Sequence, residues 1–425
     1  MTTRAASAKK RSAAPRVGIF GKVGAGNIGN DASMEAILGF LRTYRPEAVI
    51  SAMCTGPETL RSRYGIDDAV PMFWHNKFNA TGATSGALKV VGRFLDAFRT
   101  AAWVSRQDAV IVPGAGVLEA SLPMVPRGWP YALFLLSAWG KVFRTKVALV
   151  SVGAGAVKKP TTRWLMNSAA RLAFYRSYRD PGAREAMRKR GIDVSGDEVY
   201  PDLAFALAPP PVVPVDEKLV AVGVMDYHGS NDERKHAEEI YAGYVGAMKS
   251  FVRWLAEGGH KVLLLVGDTN GSDGAVVEDI IADLRTWLPD LDPSTVTAAG
   301  VSSYSDVMKV LRPVNCVVAI RYHNVLCSLK LSKPTISIGY SPKHDLLLAD
   351  MGLGDFIQDV STLEVDELKK CFTELEDRSA ELQRIVAERN AAKAELLEAQ
   401  FTKLSTLLFP RAASAVASRV QDPVA

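Results

Sequence analysis

The chain has 425 residues, 48% of them apolar, with 51 Lys and Arg against 46 Asp and Glu. That length allows about two or three domains, and a formal charge of +5 excludes the strongly basic composition of a nucleic-acid binder. Cys54, Cys316, Cys327 and Cys371 are scattered without C-x-x-C spacing, which excludes a zinc knuckle or a redox pair and fits reduced thiols in a cytoplasmic protein.

Residues 1–15 read as a disordered basic tail, with no apolar segment of the kind a secretory signal needs. Residues 17–20 predict a strand, followed by the loop "GKVGAGNIGND" and a helix from about 31 to 44 with Met34, Ile37, Leu38 and Leu41 on one face. The loop holds Gly24, Gly26 and Gly29 in G-x-G-x-x-G order. A dinucleotide loop has its first glycine at the strand's end and an acid ending the second strand. Here the first strand ends near Gly21, and the second, 48–53, runs into Cys54 and Thr55. A nicotinamide or flavin site is not expected. The glycines either simply turn the chain or present backbone N–H groups to a phosphate or sugar.

Residues 108–113 and 146–152 predict two further strands, closed by the glycine pairs Gly114/Gly116 and Gly153/Gly155. Between them "WPYALFLLSAW", 129–139, is too short to span a bilayer and predicts a buried helix, with an interfacial patch as the alternative. A helix ending near Tyr175 leads into Ser177-Tyr178-Arg179-Asp180, and Pro181 suits the first position of the next helix. The stretch "APPPVVPVDE", 208–217, is a linker. Strands are then expected at 219–224, 261–266, 316–320 and 335–338, with a helix over 231–257 stopped by Gly258-Gly259. Residues 364–408 contain no Gly or Pro and predict one or two long helices folding back on the first domain; a coiled coil is the rival reading. Residues 411–425 read as a flexible tail.

Strand, glycine turn and helix in alternation predict an α/β protein with its site at the C-terminal strand edges. The expected architecture is two Rossmann-like domains, 16–207 and 218–362, facing across a cleft in a glycosyltransferase-B-like arrangement, closed by a helical segment over 363–410. "CVVAI" runs into Arg321 and His323, and "TISIG" into Lys343 and His344, on one edge if the strands are parallel. Arg179 is the candidate partner from the first half. Taken singly, each reads as a local ion pair or a packed strand-end residue. Together, three converging cations repel one another unless an anion joins them. Arginine suits carboxylate or phosphate through paired hydrogen bonds, and lysine suits phosphate as a point charge.

The segments "GNIGND", "VIVPGAG", "LVSVGAGA", "SYRD", "YPDLAF", "RYHNVLCSLKLSKP" and "GYSPKH", spread over residues 18–353, resemble the polysaccharide pyruvyl transferase family. The resemblance implies a two-domain glycosyltransferase-B-type fold with acceptor-side and donor-side halves. It implies transfer of a pyruvyl group from phosphoenolpyruvate to two hydroxyls of a sugar, leaving a cyclic ketal and releasing phosphate, with no cofactor and no metal. Arg179, Arg321, His323 and Lys343 would face phosphoenolpyruvate, with His344, Gly114 and Gly153 beside them and Asn27 and Asn30 on the acceptor side. His323 would be the general acid/base and Asp31 the base on the acceptor hydroxyl. The family often has Gly-Asp where this chain has Gly29-Asn30 followed by Asp31, so the loop acid is either displaced by one residue or lost.

The implied partner is a sugar or glycolipid of a cell-envelope or exopolysaccharide glycan. The expected location is cytoplasmic, with peripheral association at the inner face of the plasma membrane and a homo-oligomer both left open. The loop 74–87, with 123–129, is the candidate for acceptor specificity. A nucleotide-sugar glycosyltransferase remains the rival, although the stretch after Gly339, "YSPKHDLLLADMGLGD", lacks the pair of glutamates that reading expects. A non-enzymatic scaffold binding through the C-terminal helix is a second alternative.

Overall fold

The computed structural model describes residues 14–74, 83–119, 125–229, 236–266 and 272–410, apart from the side chains of 83–90. Residues 1–13 and 411–425 of the expected tails, 75–82 of the 74–87 loop and 123–124 of the 123–129 loop lie outside those residues.

Seven strands form the first sheet: β1 (Arg16–Gly21), β2 (Val49–Cys54), β3 (Ala69–Pro71), β4 (Ala109–Pro113), β5 (Lys146–Val152), β6 (Tyr175–Tyr178) and β7 (Glu198–Val199). Six form the second: β8 (Asp216–Gly223), β9 (Lys261–Leu265), β10 (Val296–Ala299), β11 (Val314–Ala319), β12 (Thr335–Gly339) and β13 (Ile357–Asp359). Their orders are β3-β2-β1-β4-β5-β6-β7 and β10-β9-β8-β11-β12-β13, parallel throughout. The central strands β4 and β11 are buried along their whole length, as apolar runs covered by helices on both faces must be. Each order reverses once, between β1 and β4 and between β8 and β11, which opens a crevice at the C-terminal strand ends.

In the first domain the helices are α1 (Ile28–Tyr44), α2 (Pro57–Tyr64), α3 (Ala83–Val104), α4 (Trp129–Phe143), α5 (Pro160–Leu172) and α6 (Pro181–Lys189). In the second they are α7 (Ala237–Glu257), α8 (Asp273–Trp287), α9 (Tyr304–Leu311), α10 (Tyr322–Lys330) and α11 (Pro342–Asp350), followed by α12 (Val365–Asp377) and α13 (Ser379–Leu408). The domains share one apolar core, continuous from Ile37 and Leu41 of α1 through Leu203 and Phe205 to Val220 and Val317. Among the described residues no helix is long and apolar enough to cross a membrane. The 129–139 run is the body of α4, with Trp129, Leu133 and Leu136 buried.

Several boundaries differ from expectation, among them the linker, expected over 208–217, whose last two residues already belong to β8. Helix α1 starts at Ile28, not near 31, because the Asn27 side chain caps it by accepting from the Asn30 N–H. No helix reaches Tyr175: α5 ends at Leu172, and Tyr175 pairs with Ala148 as the first residue of β6. The C-terminal segment divides at Arg378 into two helices, and α13 straps both domains rather than the first alone. Asn390 donates to the Leu329 carbonyl (2.7 Å) and Lys393 pairs with Asp350 in the second domain. Further along, the buried Gln400 bonds Ser177 and Ser151, and Phe401 stacks on Phe40, in the first.

Candidate active site

The strand ends of the two sheets meet around one tyrosine. Tyr322, the first residue of α10 after β11, is buried. Arg179, from the end of β6, places its guanidinium carbon 5.2 Å from the Tyr322 ring centroid, and the Lys343 ammonium lies 5.3 Å from it. The His323 and His344 rings meet the same ring edge-on at 5.4 and 5.5 Å. Four sequence-predicted residues from three loops are thus gathered on a residue whose role the sequence reading had not assigned. Burial first, then the neighbouring carboxylates, pushes the Tyr322 phenol above its usual pKa, so it is neutral.

Arg179 is 8% exposed and caged by acids. Its Nη2 donates to Glu119 Oε1 at 2.8 Å, and Asp180 and Asp202 stand 3.6 Å from other guanidinium nitrogens. Burial opposes the charge, but Tyr322, Glu119, Asp202 and Asp180 outweigh it and hold the guanidinium pKa above its ordinary value. Burial raises the Asp202 carboxyl, with Arg179 pulling the other way. Gly153 lies beneath this pair: a Cβ there would fall 2.4 Å from Glu119 Oε1 and 2.8 Å from Arg179 Nη2. Gly114, at φ 38°, ends β4 against Ser33 of α1.

In the second domain Arg321 caps the start of α10 and makes a two-pronged pair with the buried Asp273 carboxylate, at 3.0 and 2.6 Å. Lys343 differs. Its ammonium rests on the faces of Tyr322 and Tyr340, and among the described residues no carboxylate lies within ion-pair distance of it. The expected alternative of a local Lys343–Asp345 pair does not form. His344 is fully buried, with Nδ1 bonded to the Ser337 hydroxyl at 3.0 Å and Nε2 without a hydrogen-bond partner among the described residues.

His323 sits where the domains touch. A Cβ on Gly29, in the first turn of α1, would come 1.8 Å from His323 Nε2. Only a glycine there lets the helix start abut the imidazole. Burial, then Arg179, Lys343, His344 and Arg321, pushes the His323 pKa down to about 3, so the ring is neutral at pH 7. His344 is likewise pushed down to about 3 by burial, Lys343 and Arg179.

The remaining loop candidates face elsewhere. Asp31 accepts from the Gly24 N–H at 2.6 Å and its electrostatic neighbours are Glu35 and Arg63, on the α2 side; burial raises its pKa. Asn30 donates to the Lys22 carbonyl at 2.9 Å. Asn27, Asn30 and Asp31 therefore shape the loop and helix start that bring Gly29 to His323. Sequence reasoning missed Glu119, Asp202, Asp273 and Gly29. Of these only Asp202, inside "YPDLAF", and Gly29, inside "GNIGND", lay in segments it had singled out.

Two parallel sheets with facing C-terminal edges, imidazoles and cations between them and a helix strapping both halves define a glycosyltransferase-B-type two-domain architecture. Within that class, residues 27–342 match the polysaccharide pyruvyl transferase family, and the chain belongs to it. No curated protein matches the sequence. Solved structures share the fold at low identity. A putative UDP-N-acetylglucosamine 2-epimerase from Listeria monocytogenes is 13% identical, with 89% of this chain and 91% of that one covered at a TM-score of 0.57. The UDP-GlcNAc 2-epimerase of Methanocaldococcus jannaschii is 8% identical, with 84% and 92% covered and a TM-score of 0.54. A lipopolysaccharide outer core galactosyltransferase is 13% identical, with 93% and 99% covered and a TM-score of 0.54.

Proposed function

We propose that the chain moves the pyruvyl group of phosphoenolpyruvate onto two hydroxyls of one sugar in a cell-envelope or exopolysaccharide glycan, forming a cyclic ketal and releasing phosphate. The observation that carries this reading, beside family membership, is the set of cations around one neutral imidazole. Arg179, Lys343 and Arg321 all act on His323 and depress its pKa. Phosphoenolpyruvate has a carboxylate and a phosphate to set against that field, with Lys343, which has no carboxylate within ion-pair distance among the described residues, the first to meet them. Once those charges are bound, the field that keeps His323 unprotonated is cancelled, and its pKa rises towards the range useful for proton transfer.

His323 then delivers a proton to the methylene carbon, leaving positive charge at C2. One sugar hydroxyl adds to C2, phosphate departs with its oxygen, and the second hydroxyl closes the ring. One hydroxyl proton replaces the proton His323 gave, and the other leaves with phosphate. Lys343 is placed to stabilise the departing phosphate, and Arg321, fixed by Asp273, to orient the carboxylate. Glu119 and Asp202 hold Arg179 against Tyr322 and so position the imidazole beside it.

Calorimetry and phosphate release test this together. The wild type should bind phosphoenolpyruvate and release phosphate only when a glycan acceptor is present. His323→Ala should still bind it but turn over about 10²–10⁴-fold more slowly. Binding of a nucleotide sugar without binding of phosphoenolpyruvate, or full activity in folded His323→Ala, overturns the reading.

A further inference from the structure

We propose that the layer formed by α3, α4 and α5 on the first domain docks onto the surface of an anionic lipid bilayer. Helix α3 is inside-out for a helix in water. Val91, Phe94, Leu95 and Phe98, spaced i, i+3, i+4 and i+7, form an exposed stripe, with Phe94 65% and Phe98 68% accessible. The acid of that stretch, Asp96, points inward at 4% exposure, accepting from the Trp74 N–H and pairing with Arg93 and Arg99. Contiguous exposed apolar side chains of this size mark a surface that something covers.

The stripe does not stand alone. Helix α4 packs between α3 and α5. Its end, Lys141-Val142-Phe143-Arg144, is exposed at all four residues, with Phe143 stacked on Trp139. On α5, Arg163 and Trp164 are exposed, and Trp164 packs against Phe134 of α4 at 5.4 Å. Aromatic and aliphatic side chains flanked by cations are what an interfacial surface offers to lipid.

Charge selects the occupant. Residues 83–172 contain twelve Lys and Arg and three acids; of the cations, Lys141, Arg144 and Arg163 are exposed at the end of α4 and on α5, whereas Arg93 and Arg99 pair with Asp96 and Lys146 donates to the Leu407 and Leu408 carbonyls. None of those acids belongs to the exposed face: Asp96 is buried, Asp108 accepts from the Arg16 N–H at the sheet edge, and Glu119 is paired with Arg179 in the cleft. Two copies of this face would repel each other across a symmetric interface, whereas anionic headgroups complement it and acyl chains receive the stripe. Right-handed crossovers between parallel strands in this order put α3, α4 and α5 on the same face of the sheet. The inference does not depend on the reaction run in the cleft.

The test is co-sedimentation of the full chain with vesicles of phosphatidylglycerol and phosphatidylcholine, and with phosphatidylcholine alone. Binding should require the anionic lipid and weaken as salt is raised. The double variant Phe94→Ser/Phe98→Ser should bind at least about 10-fold less with an unchanged melting temperature, and Phe98→Leu should bind nearly as the wild type. Failure to bind anionic vesicles overturns the inference, as does equal binding by the double Ser variant. A concentration-dependent dimer abolished by the same substitutions also overturns it, by assigning the face to a second copy.

Discussion

Two cations of the cleft, one from each wall, carry their charge in opposite ways. On the first domain Arg179 is buried among Glu119, Asp180 and Asp202, a cation already surrounded by its own counter-charges. On the second, Lys343 rests on two aromatic faces with no carboxylate within ion-pair distance among the described residues. A caged cation holds structure; one held only by ring quadrupoles keeps its capacity for an incoming anion. The simple picture of equivalent converging cations therefore gives way to a division of labour, in which Arg179 fixes Tyr322 and Lys343 is left open to an incoming anion.

The comparison breaks or holds first at Arg179→Met. Removing the cation leaves three acids around a buried void and should destabilise the fold by about 3–5 kcal/mol, read as a fall in denaturation midpoint. Lys343→Met should leave that midpoint in place. Its expected effect is on phosphoenolpyruvate affinity, weaker by about 1.5–3 kcal/mol for a lost charged hydrogen bond. Equal stability losses in the two variants would mean that the two cations do not differ in kind.

A sharper test uses the contact between the walls. Gly29→Ala adds one methyl group where His323 Nε2 lies 1.8 Å away, so the ring must move or the domains must part. A displacement of about 1 Å at a reacting group costs about 10²-fold in rate. The same change should favour helix α1, since alanine is a better helix former than glycine by about 0.5–1 kcal/mol. Overpacking at the contact costs about 1–3 kcal/mol, more than the helix gains, so lower kcat with a lower melting temperature is the expected pair of results. Unaltered kcat would show that the approach of Gly29 to His323 has no bearing on turnover.

The sequence shows much of the architecture because most of the buried parallel strands are continuous apolar runs. That places Arg321, His323 and Lys343 at one edge from the sequence, whereas β6, with the polar sequence YRSY, reads as the end of a helix and leaves Arg179 without its strand. The partners were not legible for a different reason. Glu119 reaches Arg179 across 60 positions and Asp273 reaches Arg321 across 48, and no local pattern records such distances. The expected helix start near 31 falls three residues late, and Gly29 completes a dinucleotide-like spacing that the strand end and the missing acid exclude. Its lack of a side chain has another use, which only the opposing domain explains. Tyr322, between Arg321 and His323, is assigned no role by the sequence reading, although two cations and two imidazoles are arranged around its ring.

The smallest expected effect concerns protons. His323 and His344 are each pushed down to about 3 in the folded chain, first by burial and then by cations of the cleft, against about 6.5 when unfolded. The unfolded chain therefore takes up these protons first as pH falls. Their contribution to stability is fully present above about pH 6.5 and is lost progressively towards pH 3. Each histidine can account for at most about 1.4 kcal/mol per pH unit within that window. Asp31 and Asp202, whose carboxyls are raised, act in the opposite sense, so the net slope should be shallower than two histidines alone would produce. His344→Gln keeps a polar group near Ser337 but removes the titration. Melting temperatures followed from pH 7 to pH 5 should fall less steeply in this variant than in the wild type. Phosphoenolpyruvate should flatten the wild-type slope as well, because an anion beside Lys343 relieves both imidazoles of the charge that depresses them. Parallel slopes in wild type, variant and ligand complex would show that the cations of the second wall do not reach the histidines.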